Sequence, residues 1–288
     1  MTNEDKKHVI VLYSGGLDSR LAIKLLKEQK YTVEALYFKL PFAPSSDLDN
    51  FTEKENIPLT ILDCTKGEML LKYLYSVEHP NHGRGTGYNP CIDCKLFMYE
   101  HAKEYAQKHN IMSIASGEVQ GQRPMSQNKD ALDLIKRKTN FNILRPLNNA
   151  GIRGRNRKEQ IAMAKKYNIQ FPGPAGGCLL CEKGLEKRFR ILIENNLINK
   201  NTLPLINTGR HFYIDKKQWW IVVGRNEQEN KIIEQFSSII TSGKGKPAVY
   251  FHSKDNNWNK LNEEAKKIQI AYQNKDKNFI DTLIKWKI

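Results

Sequence analysis

The sequence predicts an α/β protein in which a doubly wound parallel sheet is followed by a second, smaller α+β domain. Short apolar runs alternate with helical patterns through the first half of the 288 residues, as in a parallel sheet with helices on its faces. The first apolar run leads directly into a glycine-rich loop and a helix. After residue 184 the chain mixes helical segments with short strands and polar turns. We therefore expect domains at 1–183 and 184–288.

The elements of the first domain follow from their apolar spacing. HVIVLY (8–13) is a continuous apolar run, typical of a parallel strand covered on both faces. Residues 79–90 are turn-formers and predict a loop near the ligand-binding edge of the sheet, and FPGPAGG (171–177) ends the domain. Further strands are predicted over TVEALYF, PLTILDC and IMSIAS, and helices over DSRLAIKLLKEQ, GEMLLKYLYSV, CKLFMYEHAKEYAQKH and RNRKEQIAMAKKYNI.

The second domain has weaker patterns. GLEKRFRILIENN (184–196) and EQENKIIEQFSSII (227–240) are typical of helices, and residues 262–286 predict a terminal helix. LPLINTGRHFYI (203–214) and KQWWIVVGRN (217–226) are typical of short strands. Together these segments predict a small α+β unit.

Composition and the first residues of the chain predict where in the cell the protein is located. The chain is 40% hydrophobic, but no apolar run approaches the roughly 20 residues that span a bilayer. The first residues lack the pattern of a signal peptide, so we expect a cytoplasmic protein without membrane contact. In that compartment a C-x-x-C pair is more often metal-binding or catalytic than a structural disulfide.

The formal net charge of +15 is unevenly distributed. Residues 1–135 carry 16 basic and 18 acidic side chains, whereas 136–166 carry 10 and 1, and 183–288 carry 20 and 11. A nearly neutral front half followed by basic segments favours a catalytic domain joined to polyanion-binding surfaces. Solvated basic faces are the alternative.

SGGLDS (14–19) lies between the first strand and the first helix. Its glycines allow close approach of the backbone to a phosphate, and the serine hydroxyls and helical N–H groups then face the anion. The Lys-Ser/Thr pair of a Walker loop and the G-x-G-x-x-G pattern of a dinucleotide fold are both missing from this loop. The loop is therefore a candidate phosphate site of another kind.

SGGLDS resembles the pyrophosphate loop of the PP-loop ATP pyrophosphatase superfamily. The resemblance implies that ATP and Mg²⁺ bind here and that AMP and pyrophosphate are released after a carbonyl oxygen has been adenylated. It assigns the ATP site to Ser14, Gly15, Gly16, Asp18 and Ser19.

The stretch from 116 to 147, with Gly117, Glu118, Arg145 and Pro146, resembles tRNA 4-thiouridine synthases. NPCIDCK (89–95) and GGCLLCE (176–182) resemble the segments on which tRNA 2-thiouridylases carry their reactive cysteines. The first resemblance adds Gly117 and Glu118 to the ATP site. Together they imply a tRNA-uridine sulfurtransferase.

Two C-x-x-C pairs, Cys91/Cys94 and Cys178/Cys181, lie about eighty residues apart and next to turn-forming residues. This pattern predicts that the four sulfurs meet. A structural zinc ion, a redox pair that carries a persulfide, and a [4Fe–4S] cluster all remain open, and the cluster is the option we favour. By the resemblance, Cys91, Cys94 and Cys178 are the first candidates as ligands, with Cys181 as a fourth ligand or sulfur relay. Cys64 ends a predicted buried strand and is expected in the core.

Three predictions concern side chains beside the thiols. Cys91 and Cys178 are candidate catalytic residues. Asp93 is either a catalytic base or the N-cap of the helix that follows. His79 and His82 are expected to be loop residues or RNA contacts rather than metal ligands.

Basic residues predict the RNA contacts. Arg153, Arg155, Arg157 and Lys158 form a run where tRNA phosphates would dock, unless they are simply a solvated helix start. The small domain, clearest over 204–240, is similar to the RNA-binding module of NFACT proteins. That similarity and the basic charge of the segment make Arg210, His211 and Arg225 candidate RNA contacts. The alternative is an ordinary hairpin with Trp219 and Trp220 partly in the core.

The predicted function is that of an ATP-dependent tRNA-uridine sulfurtransferase. Its partners would be tRNA and a sulfur donor: sulfide, a cysteine desulfurase or a sulfur carrier. The alternatives are a PP-loop amidating or amine-ligating enzyme with a structural zinc, and a non-catalytic RNA-binding protein.

Overall fold

A computed structural model of the chain describes residues 7–44, 48, 50–122, 124–171, 177–254 and 258–288. The chain divides into two compact units, Met1–Gly184 (unit 1) and Leu185–Ile288 (unit 2). The predicted end of the first domain at FPGPAGG falls mainly on residues 172–176, outside the described residues. In the part of the chain that the structure describes, no helix is long and apolar enough to cross a membrane.

Unit 1 is built on a parallel sheet of five strands in the order β3-β2-β1-β4-β5, and this confirms the predicted doubly wound class. Because the order reverses between β1 and β4, the loops that leave these two strands flank one crevice. The strands are β1 His8–Leu12, β2 Thr32–Lys39, β3 Leu59–Asp63, β4 Ser113–Ser116 and β5 Asn142–Leu144. The helices are α1 Leu17–Glu28, α2 Phe51–Lys54, α3 Gly67–Glu78, α4 Cys91–Lys108, α5 Lys129–Thr139, α6 Pro146–Asn149 and α7 Lys158–Lys166.

Helices pack in two groups around the strands of unit 1. Helix α1 contacts α6 and α7, and α4 contacts α3 and α5. Val9 and Val11 of β1 pack against Leu21 of α1 and Leu147 of α6 in one core. The alternate strand residue, Ile10, is also completely buried, as a sheet covered on both faces requires.

The described part of unit 2 contains an antiparallel sheet in the order β6-β7-β9-β8 and four helices, which confirms the predicted α+β class. Its core joins strand residues such as Ile221 and Phe251 to Leu261 and Ile268. The elements are α8 Glu186–Glu194, β6 Arg210–Ile214, β7 Trp219–Val223, α9 Glu227–Ile233, β8 Ile239–Ile240, β9 Val249–Ser253, α10 Trp258–Asn274 and α11 Lys277–Leu283.

Two predicted boundaries are wrong. The helix predicted over 227–240 ends at Ile233, and Ile239 and Ile240 instead pair with β9 as strand β8. The predicted terminal helix is two helices, because Lys275 has φ +53° and Asp276 caps α11 through a bond from the Phe279 N–H at 3.1 Å.

Candidate functional site

The SGGLDS loop joins the end of β1 to the start of α1. Ser19 Oγ lies 3.3 Å from Ser14 Oγ and donates to the carbonyl oxygen of Gly16 at 2.8 Å. Gly15 has φ +74°, in the left-handed region that favours glycine. Helix α1 follows Gly16 without a side-chain cap. The first helical N–H groups therefore suit an anion bound in the loop.

Gly117, which follows β4, contacts this loop backbone to backbone. A Cβ atom at residue 117 would lie 2.5 Å from the carbonyl carbon and oxygen of Asp18 and 2.6 Å from the nitrogen of Ser19. No side chain can occupy that space without moving the backbone. The structure thus brings together Gly117 and the predicted ATP loop.

Asp18 is a polar group with an unused acceptor. Its Oδ1 is buried and has no hydrogen-bond partner among the described residues. Burial raises the pKa of Asp18, while the positive charge of Arg157 acts in the opposite direction. Arg157, predicted as an RNA contact, is therefore close enough to act on the phosphate loop.

Glu118 forms the centre of a buried ionic network. Its carboxylate pairs with the ammonium group of Lys95 and accepts bonds from Tyr99 Oη at 2.9 Å, Ser116 Oγ at 3.1 Å and Arg145 Nε at 3.0 Å. Burial alone would raise the pKa of Glu118, but the charges of Lys95 and Arg145 lower it to about 2. Sequence reasoning did not identify Lys95 or Tyr99. Both lie on one face of α4, four residues apart, and this spacing is the only sequence pattern that could have indicated that they share a partner.

The four cysteines of the two C-x-x-C pairs lie on two neighbouring segments. Cys91 is the first residue of α4 and Cys94 lies in its first turn, whereas Cys181 ends a 3₁₀ turn over Leu179–Cys181 and Cys178 precedes it. Cys181 is the main cause of the raised pKa of Cys91, and Cys178 is the main cause of the raised pKa of Cys181. These mutual effects place the side chains of Cys91, Cys178 and Cys181 near one another, whereas the prediction that all four sulfurs meet at one centre stays a prediction.

The surroundings of Cys91, Cys94 and Cys181 raise the pKa of each of these three thiols and so favour its protonated form. Burial raises the pKa of Cys94, whose sulfur lies 3.7 Å from Tyr73 Oη, to about 12. The Cys178 thiol raises the pKa of Cys181 to about 11. Within the described ranges, no group of three or more His, Cys, Asp and Glu side chains is arranged to hold a metal ion. Cys64 is completely buried, as expected of a core residue.

Asp93 lies in the first turn of α4 and is buried. It is not the helix N-cap, since Pro90 occupies that position, and the N-cap interpretation is wrong. Its carboxylate instead accepts bonds from the N–H groups of Asn81 at 3.0 Å and His82 at 3.1 Å, and pairs with His82 Nδ1 at 2.8 Å. The imidazole of His82 is thus held by Asp93 and is largely buried.

The predicted basic run precedes and opens α7, which begins at Lys158 rather than at Arg155. The side chains of Arg153, Arg155 and Lys158 are exposed. Arg153 also lines a cavity of about 360 Å³ with Lys129, Lys136 and Arg145. This cavity concentrates positive charge at the end of β5.

In unit 2, two predicted RNA contacts line a second cavity of about 410 Å³. The guanidinium group of Arg210 lies over the ring of Tyr272 at 5.1 Å, and Lys246 completes the basic lining. Arg225 is half exposed and pairs with Glu229, so part of its charge is already neutralised. The sequence analysis did not single out Tyr272 or Lys246, which lie in segments without a strong pattern.

His211 does not lie on this surface, and the prediction that it contacts RNA is wrong. It is completely buried, and its Nε2 donates towards the carbonyl oxygens of Thr208 at 2.8 Å and Leu205 at 3.1 Å. Trp220 Nε1 donates to His211 Nδ1 at 3.2 Å. Trp219 and Trp220 are also fully buried, so neither indole is available for base stacking.

Comparison with known proteins assigns the sequence to a family. The sequence profile of the family described as "Thiamine biosynthesis protein (ThiI)" matches residues 5–170. The chain is 27% identical over 256 residues to a tRNA-specific 2-thiouridylase MnmA of Karelsulcia muelleri, covering 80% of this chain and 66% of that protein. It is 29% identical over 124 residues to tRNA-specific 2-thiouridylase MnmA 1 of Aliarcobacter butzleri, covering 39% and 34%.

The chain thus spans about two thirds of the first of these relatives and one third of the second. Among solved structures, a 4-thiouridine synthetase–RNA complex with bound ATP superposes with a TM-score of 0.42 at 20% identity. That superposition covers 69% of this chain and 52% of the other.

Proposed function

The chain belongs to the ThiI family, and from this membership we propose that it is an ATP-dependent tRNA-uridine sulfurtransferase. The observation that carries the proposal is the uncapped start of α1 behind the SGGLDS loop, with Gly117 packed against its backbone. These features support a site for the pyrophosphate portion of ATP. The names of the two relatives, both tRNA 2-thiouridylases, support tRNA as the second substrate.

In the proposed reaction a uracil carbonyl oxygen attacks the α-phosphorus of ATP, and pyrophosphate leaves. A sulfide equivalent then attacks the activated ring carbon, AMP leaves with the oxygen, and thiouridine results. The loop residues 14–19 would hold the departing pyrophosphate, and Arg157 would offset its charge. The unpartnered Oδ1 of Asp18 suits a phosphate-bound Mg²⁺, because this ion prefers oxygen ligands.

The four thiols suit a soft metal centre by type and proximity, although the side chains as described are not arranged as a complete metal site. We propose a [4Fe–4S] cluster held by Cys91, Cys94 and Cys178, with zinc as the alternative. Such a cluster, when bound, supplies an iron that can carry sulfide. In its absence the raised thiol pKa values disfavour thiolates, so binding would release protons.

Unit 2 is proposed to bind the tRNA, in line with the NFACT-like RNA-binding role that its sequence predicts. The basic cavity beside Arg210, Arg225 and Lys246 supports phosphate contacts there. The exposed side chains of Arg153, Arg155 and Lys158 would provide further contacts from unit 1.

The test is an anaerobic assay with the full chain, ATP, sulfide and an unmodified tRNA transcript. Pyrophosphate release and thiouridine, measured by mass spectrometry after nucleoside digestion, are expected together and in equal amounts. Asp18→Asn should lower both by about 100-fold, because the charge that would hold Mg²⁺ is lost. Asp130→Asn, a change of an exposed carboxylate on α5, serves as the matched control.

Two outcomes would contradict the proposal. Pyrophosphate release that requires an amine and not tRNA, from a colourless protein with stoichiometric zinc, would indicate an amine-ligating enzyme. Binding of tRNA without any pyrophosphate release would indicate a non-catalytic RNA-binding protein. Metal analysis and the absorption spectrum of the anaerobic protein separate iron from zinc.

A further inference from the structure

The loop over residues 79–90, called the spacer loop below, connects α3 to the first thiol pair. It leads directly into Cys91, whereas the second thiol pair, Cys178 and Cys181, lies more than eighty residues further along the chain. The distance between the two pairs depends on the shape of the loop and on the residues that the loop contacts.

The shape of the spacer loop is fixed by two side chains, Asp93 in the helix that follows the loop and Arg84 within the loop. Asp93 binds two backbone N–H groups and one ring nitrogen of Asn81 and His82. Arg84 donates to the carbonyl oxygens of Tyr88 at 3.1 Å and Glu78 at 2.9 Å, and its guanidinium group lies 3.7 Å from the centre of the Tyr88 ring. The loop is therefore a stiff element in spite of its glycines and prolines.

The spacer loop touches the second thiol segment through Gly87. This residue has φ +71°, and a Cβ atom there would lie 2.7 Å from the carbonyl oxygen of Leu180 and 3.2 Å from the carbonyl carbon of Cys181. Backbone therefore meets backbone at Leu180 and Cys181, and Cys181 is the residue whose thiol raises the pKa of Cys91. Any side chain at residue 87 must push the two segments apart.

We propose that the spacer loop sets the distance between the two thiol pairs, with Gly87 as its contact point and Asp93 as a positioning residue. The function of Asp93 is then to hold the loop rather than to accept a substrate proton. This inference rests on the proposed function only in that the two pairs act as one centre. It concerns any group or bond that spans them, whether a metal centre or a disulfide.

Gly83 provides a matched control within the same loop. Its φ of +74° is nearly equal to that of Gly87, but, its two chain neighbours aside, no described residue has an atom within 4 Å of the position of its Cβ. Alanine therefore carries a similar backbone strain at both residues, because both have positive φ. Only at residue 87 does it also displace the second thiol segment.

The experiment compares wild type, Gly83→Ala and Gly87→Ala as metal-free full chains treated with diamide. Two thiols lose two protons and two electrons to this oxidant as one disulfide forms. Peptide mapping then gives the ratio of the Cys91–Cys181 disulfide, which spans the segments, to the Cys178–Cys181 disulfide within one segment. We expect Gly87→Ala to lower this ratio at least tenfold and Gly83→Ala to leave it within twofold of wild type.

Equal ratios in the two alanine variants would overturn the proposal. The two disulfides compete for Cys181 in the same sample, and Gly83→Ala, which has a similar positive φ, controls for a general loss of stability. Asp93→Asn adds no heavy atom and covers the case in which Gly87→Ala fails to fold. It should lower the ratio about threefold, and a wild-type ratio would contradict the positioning role. Neither ATP nor tRNA is present, so failure of the sulfurtransferase assay leaves this result intact.

Discussion

The two units bury a titratable side chain in opposite charge states. In unit 1, Glu118 is ionised, with a pKa of about 2, because Lys95 and Arg145 outweigh the effect of burial. In unit 2, His211 is neutral, because burial, with the charge of Arg188, lowers its pKa to about 3. One network keeps charges inside the protein, and the other excludes them.

The difference separates side chains that serve a site from side chains that serve the fold. The Glu118 network holds Lys95 next to the first thiol pair, and Glu118 itself adjoins Gly117 at the phosphate loop. The His211 network connects a strand to a turn of the backbone and never reaches the surface. In the sequence GRHF of unit 2, Arg210 therefore faces a cavity while His211 stabilises the fold.

The largest expected effect is the loss of the charge on Glu118. Glu118→Gln leaves Lys95 and Arg145 as uncompensated, nearly buried cations, which should lower the free energy of unfolding of unit 1 by about 3 kcal/mol. All five cysteines lie in unit 1, so the midpoint of thiol exposure in urea measures this unit alone.

Glu100→Gln, on the exposed side of α4, is the control for this change and should alter stability by less than about 0.5 kcal/mol. If Glu118→Gln were as stable as this control, the ionic network around Glu118 would not contribute to the stability of unit 1.

A smaller effect is expected from pH. The unfolded chain binds a proton at His211 below pH 6.5 and the folded chain does so only near pH 3, so stability is lost as the pH falls between these values. From pH 7 to 5 unit 2 should lose about 2 kcal/mol. Tryptophan fluorescence measures unit 2 alone, because all four tryptophans lie there.

The pKa of Glu118 is lowered, so its contribution is present above its unfolded pKa of about 4.3 and is lost only as the pH falls towards 2. Unit 1 should therefore be insensitive to Glu118 between pH 7 and 5. His211→Phe should remove most of the pH dependence of unit 2, leaving the smaller part due to His252, whose pKa is also lowered by burial. An unchanged slope in this variant would contradict the buried, neutral state of His211.

The smallest effect concerns the surface of unit 2. Arg210→Ala and Lys246→Ala should each weaken tRNA binding by about three- to tenfold, uniformly across sequences, and reduce the slope of log K against log salt by about 1. Lys260→Ala changes an exposed lysine outside the cavity lining and should have no comparable effect in a fluorescence-anisotropy titration. Equal losses in all three variants would indicate diffuse attraction and no localised contact.

Much of unit 1 could be predicted from local pattern. The run at 8–13 and the glycines after it predicted β1, the phosphate loop and α1, because a buried parallel strand is continuous in apolar residues. Helix α5 was missed, although Asn128 caps it through a bond from the Ala131 N–H at 2.7 Å and Asn140 ends it at φ +46°. These were readable signals.

Other features were beyond sequence reasoning for physical reasons. The burial of His211 depends on carbonyl oxygens that only the folded turn brings together, and the identity of the residue favoured a surface role. Gly87 resembles the other glycines of its loop in sequence, and its contact with Leu180 arises from tertiary packing alone. Such backbone-to-backbone approaches leave no periodic pattern in a chain.

Neither thiol pair lies on a strand. Cys91 and Cys94 occupy the first turn of a helix, and Cys178 and Cys181 flank a single 3₁₀ turn, so the sheet contributes a scaffold but none of the sulfur. If the thiols supply the attacking sulfur, as proposed, the source of the nucleophile is separate from the sheet. Substitutions in two short segments outside the sheet could then exchange one attacking atom for another without altering the phosphate loop.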